Sequence, residues 1–97
     1  MLRIEFHEVA KVVTIRIEGR FVGKVAQDAK DLIAGCTVTS RLVVNLSEVT
    51  FVDAIGGEVL SWLGRIGAEF VADKEYSIEV CERLHLPSAR RYANSSS

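Results

Sequence analysis

Residues 41–60 read RLVVNLSEVTFVDAIGGEVL, and this stretch decides the fold class. Residues 41–46 are nearly continuous β-branched and aliphatic sequence, which is typical of a central strand covered by helices on at least one face. A short turn follows, Asp53 stands where a helix must begin, and Gly56 and Gly57 come directly after it. The stretch therefore predicts a buried strand that leads through a turn into a helix.

The chain before this stretch predicts two strands and a helix. In residues 2–7 and 12–18, apolar side chains alternate with polar ones, which indicates two half-buried strands joined by a short hairpin. Residues 24–34 carry apolar side chains at helical intervals, and Gly35 follows as a stop signal.

The chain after Asp53 predicts three more elements. Apolar residues recur at helical spacing in residues 55–70, and they alternate with polar ones in residues 76–82, which indicates a last strand. Residues 84–92 suit a short terminal helix with Pro87 near its first turn. The order is β-β-α-β-α-β plus this helix, and strands separated by a crossover helix pair in parallel. We predict an α/β fold with a small mixed β-sheet and helices packed on one face.

Composition and charge narrow the class of protein. The 97 residues, 48% of them hydrophobic and 26% charged, suffice for one modest core, so we expect a single domain over residues 1–92 and a polar tail over 93–97. The 12 basic and 13 acidic residues form no run of one sign, which leaves no electrostatic footprint for nucleic acid.

The lengths of the apolar runs and the spacing of the cysteines predict the cellular compartment of the protein. The apolar runs are far shorter than the roughly 18–20 residues of a membrane span, so direct membrane insertion is not expected. Met1 leads straight into a strand pattern without a signal peptide, and the two cysteines lack metal or redox spacing. We therefore expect a cytoplasmic domain.

The loop after residue 46 resembles the switch loop of STAS domains, the bacterial anti-sigma factor antagonists. In that family the strand ends in Asp-Ser-Ser-Gly or Asp-Thr-Ser-Gly, and a partner kinase phosphorylates the hydroxyl residue after the Asp. Asp53 matches the Asp, but the phosphorylated position holds Ala54. The resemblance covers about residues 2–92 and implies a STAS-like fold whose binding surface lacks this switch.

The same resemblance implies a partner-binding surface around the start of the second helix. Its residues are Phe21, Val22, Asp53, Ala54, Ile55, Gly56, Gly57 and Glu58. Five of them have a structural alternative. Asp53 can simply cap the helix, and the two glycines can serve a tight turn and close packing. Phe21 and Val22 can be core residues; STAS domains usually carry an Asp at about Val22.

Catalytic, metal and cofactor sites are not predicted. Cys36, Cys81, His7 and His85 stand apart in the sequence without ligand spacing. No second carboxylate or His lies beside Asp53 for acid–base work, and no Lys follows the glycines to support phosphate binding.

Three functions stay open on the sequence. The first is a non-catalytic interaction module whose partner, by resemblance, is an anti-sigma factor of the kinase-like ATPase type or a related regulatory protein. The alternative is a cytoplasmic STAS-like subunit of a transporter or lipid-trafficking complex. A small enzyme is the third, and the sequence offers no poised pair of groups for it.

Overall fold

The computed structural model describes residues 2–35 and 41–88. Over those residues four strands form one sheet, and their bounds are β1 Leu2–Val9, β2 Val12–Phe21, β3 Arg41–Val52 and β4 Glu69–Val71. Three helices accompany the sheet, and their bounds are α1 Gly23–Ala34, α2 Ala54–Arg65 and α3 Glu75–Leu84. The spatial order is β1-β2-β3-β4, with β1 antiparallel to β2 and the other two pairs parallel. The predicted α/β fold with a mixed sheet is confirmed.

The first two strands form the predicted hairpin. Its turn is the pair Ala10 and Lys11, with φ values of 51° and 67°. Positive φ at both central residues is the geometry whose twist matches that of two antiparallel strands. β1 and β2 therefore extend to the turn and are longer than the sequence pattern indicated.

The core lies between one face of the sheet and the helices. In β2, Ile15 and Ile17 are buried while Arg16 between them is exposed, as the period of a half-buried strand requires. The helices bury their own apolar positions on the same core, and these are Ala26, Ala29, Ile33, Val59, Leu60, Leu63 and Val80. The opposite face of the sheet carries charged side chains.

β3 continues past the point where a turn was predicted. Its pairing with β2 shifts register between Arg16 and Glu18, so β3 contains an extra residue there. Leu46 and Ser47 are consequently both buried, and the Ser47 N–H donates to Asn45 Oδ1 at 2.9 Å. The prediction of a turn directly after residue 46 is wrong, because the polar residues that follow belong to a bulge within β3, which continues to Val52.

The predicted helix over residues 55–70 is too long. α2 ends at Arg65, and Gly67 follows with a φ of 105°, which a helix cannot accommodate. Phe70 lies instead in β4, where it is 1% exposed and pairs with Val44 of β3.

The predicted strand over residues 76–82 is a helix, α3. Tyr76, Val80 and Leu84 are spaced four residues apart, so in a helix they share one face, and that face packs on the core. The segment therefore fits a helical pattern as well as the alternating pattern of a strand.

The predicted terminal helix over residues 84–92 is wrong for residues 85–88. His85 ends α3 in the left-handed conformation, and the chain then runs beside β4, where the Phe70 N–H donates to the Pro87 carbonyl at 2.8 Å. Residues 89–92 and the predicted tail over 93–97 lie outside the described part of the chain.

Candidate functional site

Asp53 begins α2 in the way that the sequence predicts. Its backbone is extended, with a φ of −89° and a ψ of −173°, and its Oδ1 accepts the Gly56 N–H at 2.8 Å. Its carbonyl accepts the Gly57 N–H at 2.8 Å. The carboxylate thus binds one of the free donors of the first helical turn, where the helix dipole favours negative charge.

The second oxygen of Asp53 caps another helix. Asp53 Oδ2 accepts the N–H of Gly23, the first residue of α1, at 3.0 Å. The residue before Gly23 is Val22, whose side chain has no polar atom to cap its own helix. One carboxylate therefore binds the starts of two helices, although Gly23 and Asp53 are thirty positions apart in sequence.

Sequence reasoning missed this bond between the two helix starts. A signal was present, because α1 begins at a valine and a glycine rather than at a Ser, Thr, Asp or Asn. The free N–H groups at a helix start without its own cap require an acceptor from elsewhere, but the sequence does not say from where.

Gly56 brings α2 against the end of β2. A Cβ atom at Gly56 would overlap the carbonyl oxygen of Phe21 and would lie 3.1 Å from Val52 Cγ1. A Cβ at Gly57 would instead meet Leu84 Cδ2 at 3.6 Å, an ordinary contact. Close packing of helix against sheet therefore accounts for Gly56, while Gly57 has room for a side chain.

The predicted surface residues divide into a buried and an exposed group. Phe21 is completely buried, so the alternative that it belongs to the core is confirmed, and Val22 is half-buried. Gly56 and Gly57 are buried, and Asp53 is half-buried. The exposed group consists of Ala54, Ile55 and Glu58.

Phe51 joins the exposed group without having been predicted. Its side chain is 43% exposed, as is that of Ile55, and the Arg20 guanidinium lies 5.1 Å from its ring centroid. We refer to Phe51, Ala54, Ile55 and Glu58 as the α2-start patch. Phe51 lies at the end of β3, and Ala54, Ile55 and Glu58 lie in the first turns of α2, so these exposed side chains stand before and after Asp53 in the chain.

A cleft of about 600 Å³ runs along α2 from this patch. Its floor is the outer side of α2, from Ala54 to Arg65, and its walls come from α1 and α3. Lys30 of α1 and Trp62 of α2 both line the cleft, and the Lys30 ammonium lies 5.4 Å from the centroid of the Trp62 ring. Trp62 is therefore half-buried beneath a lysine and is not an exposed aromatic anchor.

The groups considered for chemistry do not come together. Across the described residues, no cluster of three or more His, Cys, Asp or Glu side chains is arranged to hold a metal ion. Burial raises the pKa of the Cys81 thiol, and Glu82 adds to the effect, which makes this thiol a poor nucleophile at neutral pH. Cys36 lies outside the described residues.

Solved structures share this fold at low sequence identity. The anti-sigma factor antagonist SpoIIAA in its unphosphorylated form is 16% identical with a TM-score of 0.70, over 87% of this chain and 82% of that one. A DUF3478-family protein with a SpoIIAA-like fold, from Shewanella loihica PV-4, is 10% identical with a TM-score of 0.55, over 90% of this chain and 81% of that one.

A third structure, that of Mglu, is 19% identical with a TM-score of 0.61 over 73% of this chain. The chain spans only 19% of the length of Mglu. No family model and no curated protein matches the sequence itself.

In the described residues, no helix has the length and apolar character needed to cross a membrane. The chain therefore has the fold of SpoIIAA, the fold that its resemblance to STAS domains implied.

Proposed function

We propose that this protein is a non-catalytic interaction module that binds a regulatory partner through the α2-start patch, in the manner of an anti-sigma factor antagonist. The observation that carries the proposal is that Phe51 and Ile55, two large apolar side chains, are exposed on either side of Asp53, whose carboxylate fixes the starts of α1 and α2. Exposed apolar side chains on a rigid support lose little conformational freedom when they bind, which favours association.

The predicted site residues have two kinds of role in this proposal. Ala54, Ile55 and Glu58 contact the partner, together with Phe51. Asp53 and Gly56 hold the first turn of α2 in place, and Phe21 and Val22 support it from β2 and the loop before α1. Gly57 lies in the same turn and has room for a side chain.

The partner that we propose is an anti-sigma factor of the kinase-like ATPase type, in the cytoplasm of a bacterium. Similarity in fold to SpoIIAA supports this class of partner. Binding would sequester the anti-sigma factor and so release a sigma factor.

Ala54 makes this binding independent of phosphorylation at the helix start. A methyl group has no hydroxyl to accept a phosphoryl group, and a phosphate there would add about −1.5 to −2 charges beside the Asp53 carboxylate. The interaction would then be controlled by the amounts of the two proteins.

A charge placed at Ala54 tests the proposal. We expect Ala54→Asp to abolish capture of the partner from a lysate, because the new carboxylate lies in the apolar part of the patch. Ala10→Asp is the matched control: it makes the same change at an exposed position in the β1–β2 turn, where the positive φ suits Asp. The captured proteins are identified by mass spectrometry, and circular dichroism checks that both variants are folded.

The control and the identity of the captured protein separate the possible outcomes. An ATPase-type anti-sigma factor bound by wild type and Ala10→Asp but lost with Ala54→Asp supports the proposal. Capture that is indifferent to Ala54→Asp would contradict it, and a transporter subunit lost with Ala54→Asp would favour the alternative function.

A further inference from the structure

The two edges of the sheet are protected to different degrees. β4 is three residues long, and the chain around Pro87 and Ser88 runs beside it and pairs with Phe70. β1 is eight residues long, and within the described residues no strand pairs with its outer side. One edge is short and covered, whereas the other is long and open.

Apart from the charged side chains of Arg3, Glu5 and Glu8, β1 lacks the features that usually prevent edge pairing. Proteins protect exposed edges with charged side chains, lysine above all, and with proline, bulges or very short strands. The sequence of β1 is LRIEFHEV, without proline or lysine, and its register with β2 runs from Leu2 to Val9 without a shift. It therefore presents an uninterrupted row of backbone donors and acceptors.

The two faces of β1 differ in chemistry. Leu2, Ile4 and Phe6 share the face of Ile15 and Ile17, on the side of the helices, and Glu8 follows them on that face. Phe6 is still 42% exposed there. On the opposite face Arg3 and Glu5 form an ion pair of 2.7 Å.

We propose that β1 pairs antiparallel with β1 of a second copy of this chain, about a twofold axis at Ile4, so that two four-stranded sheets become one continuous sheet. In this register Ile4 lies opposite Ile4 of the second copy, and Leu2 lies opposite Phe6. The apolar row on the helix side then continues across the interface and covers Phe6.

Charge complementarity selects this register. It places Arg3 opposite Glu5 of the second copy, and the twofold axis repeats the pair. Because Glu18 lies opposite Arg3 and Arg16 lies opposite Glu5 within each copy, charges of alternating sign cross the whole dimer.

Shifting either strand by two residues removes this complementarity. One shift places Glu5 opposite Glu5 of the second copy, where like charges repel. The same shift places Glu8 opposite Leu2 and so puts a carboxylate into the apolar row, and the shift in the other direction places Arg3 opposite Arg3. A shift by one residue would turn the apolar side chains of one copy to the charged face.

Cysteine crosslinking tests both the pairing and its register. The background carries Cys36→Ser and Cys81→Ala, and Arg3→Cys and Glu5→Cys are introduced in separate proteins. We expect oxidation to give a disulfide-linked dimer when the two proteins are mixed, and little when either is oxidised alone. A dimer of Glu5→Cys alone, or none in the mixture, would overturn the proposed arrangement.

Charge reversal tests the same pairing without crosslinks. Sedimentation velocity over a concentration series should show a reversible dimer of the wild-type protein, and Arg3→Glu should weaken its association by about tenfold or more, because two pairs become repulsive. The control is Arg41→Glu, which disrupts the ion pair with Glu69 on the same face but leaves β1 unchanged. A monomer at every concentration up to the millimolar range, or equal weakening by both variants, would refute self-pairing.

Discussion

The starts of α2 and α3 are attached to the same point of the sheet by bonds of different kinds. That point is the end of β3, at Val52 and Asp53. Asp53 binds the starts of α2 and α1 through its carboxylate, and Gly56 sets α2 against the backbone of β2. The Val52 N–H, one residue earlier, donates to the hydroxyl oxygen of Tyr76 in the first turn of α3 at 2.8 Å.

The difference concerns charge and the freedom to adjust. α2 is held by one bond to the Asp53 carboxylate, whose other oxygen binds the start of α1, and by the close fit of Gly56 against the backbone of β2. A small movement of α2 would lose both contacts. At the end of β3, α3 is held by one neutral hydroxyl. Its only charged link to β3 among the described residues is the exposed ion pair of its N-cap residue Lys74 with Glu48, at 2.6 Å, and exposed ion pairs contribute little to stability. Hydrogen bonds to charged groups stabilise a fold about twice as much as neutral ones, so the α2 side should be the more sensitive to substitution.

The largest effect is expected at Gly56. Gly56→Ala would place a methyl group against the carbonyl of Phe21, so that either α2 or β2 must move. We expect the free energy of unfolding to fall by about 3 kcal/mol or more, at the upper end of overpacking effects. Urea denaturation followed by circular dichroism measures it.

Gly57→Ala is the matched control for this substitution. The same methyl group would meet only Leu84 at an ordinary distance, and alanine favours a helix by up to about 1 kcal/mol over glycine. Stability should be unchanged or slightly higher. If both variants lose equal stability, the close approach at Gly56 is not what holds α2 in place.

The next effect is expected at Asp53, where the two bonds can be removed separately. Asp53→Ala removes both and should cost about 2 kcal/mol, because each capping bond contributes about 1 kcal/mol. Asp53→Ser keeps a single acceptor, which can cap α2 but not α1 as well, so it should lose about half as much. Equal losses in the two variants would mean that the bond to Gly23 contributes nothing.

These two regions also differ in what the sequence reveals. The strand into α2 could be predicted because Asp53, the apolar run and the glycines are local signals that agree with one another. The bond from Asp53 to Gly23 could not, since it depends on the parallel pairing of β2 with β3, which brings two distant loops together.

The region from residue 66 to residue 88 was predicted incorrectly for a different reason. Tyr76, Ile78 and Val80 fit an alternating strand, while Tyr76, Val80 and Leu84 fit a helix, so periodicity alone does not decide. The decision comes from β4, whose three residues exist as a strand only because β3 lies beside them. The number and order of elements were correct, but the last strand and helix were placed too late in the chain.

The smallest effect is expected at Tyr76, and it tests whether the attachments of α2 and α3 to the end of β3 are independent of each other. Tyr76→Phe removes the acceptor for the Val52 N–H and keeps the packed ring, so the free energy of unfolding should fall by about 1 kcal/mol. Amide hydrogen exchange measured by NMR should show faster exchange at Val52, whereas the amides of Gly23 and Gly56 should keep their protection. The two attachments would then be independent although they start from adjacent residues. If instead Gly23 and Gly56 lose protection together with Val52, the end of β3 acts as one cooperative unit, and a change at α3 would reach the α2-start patch without touching it.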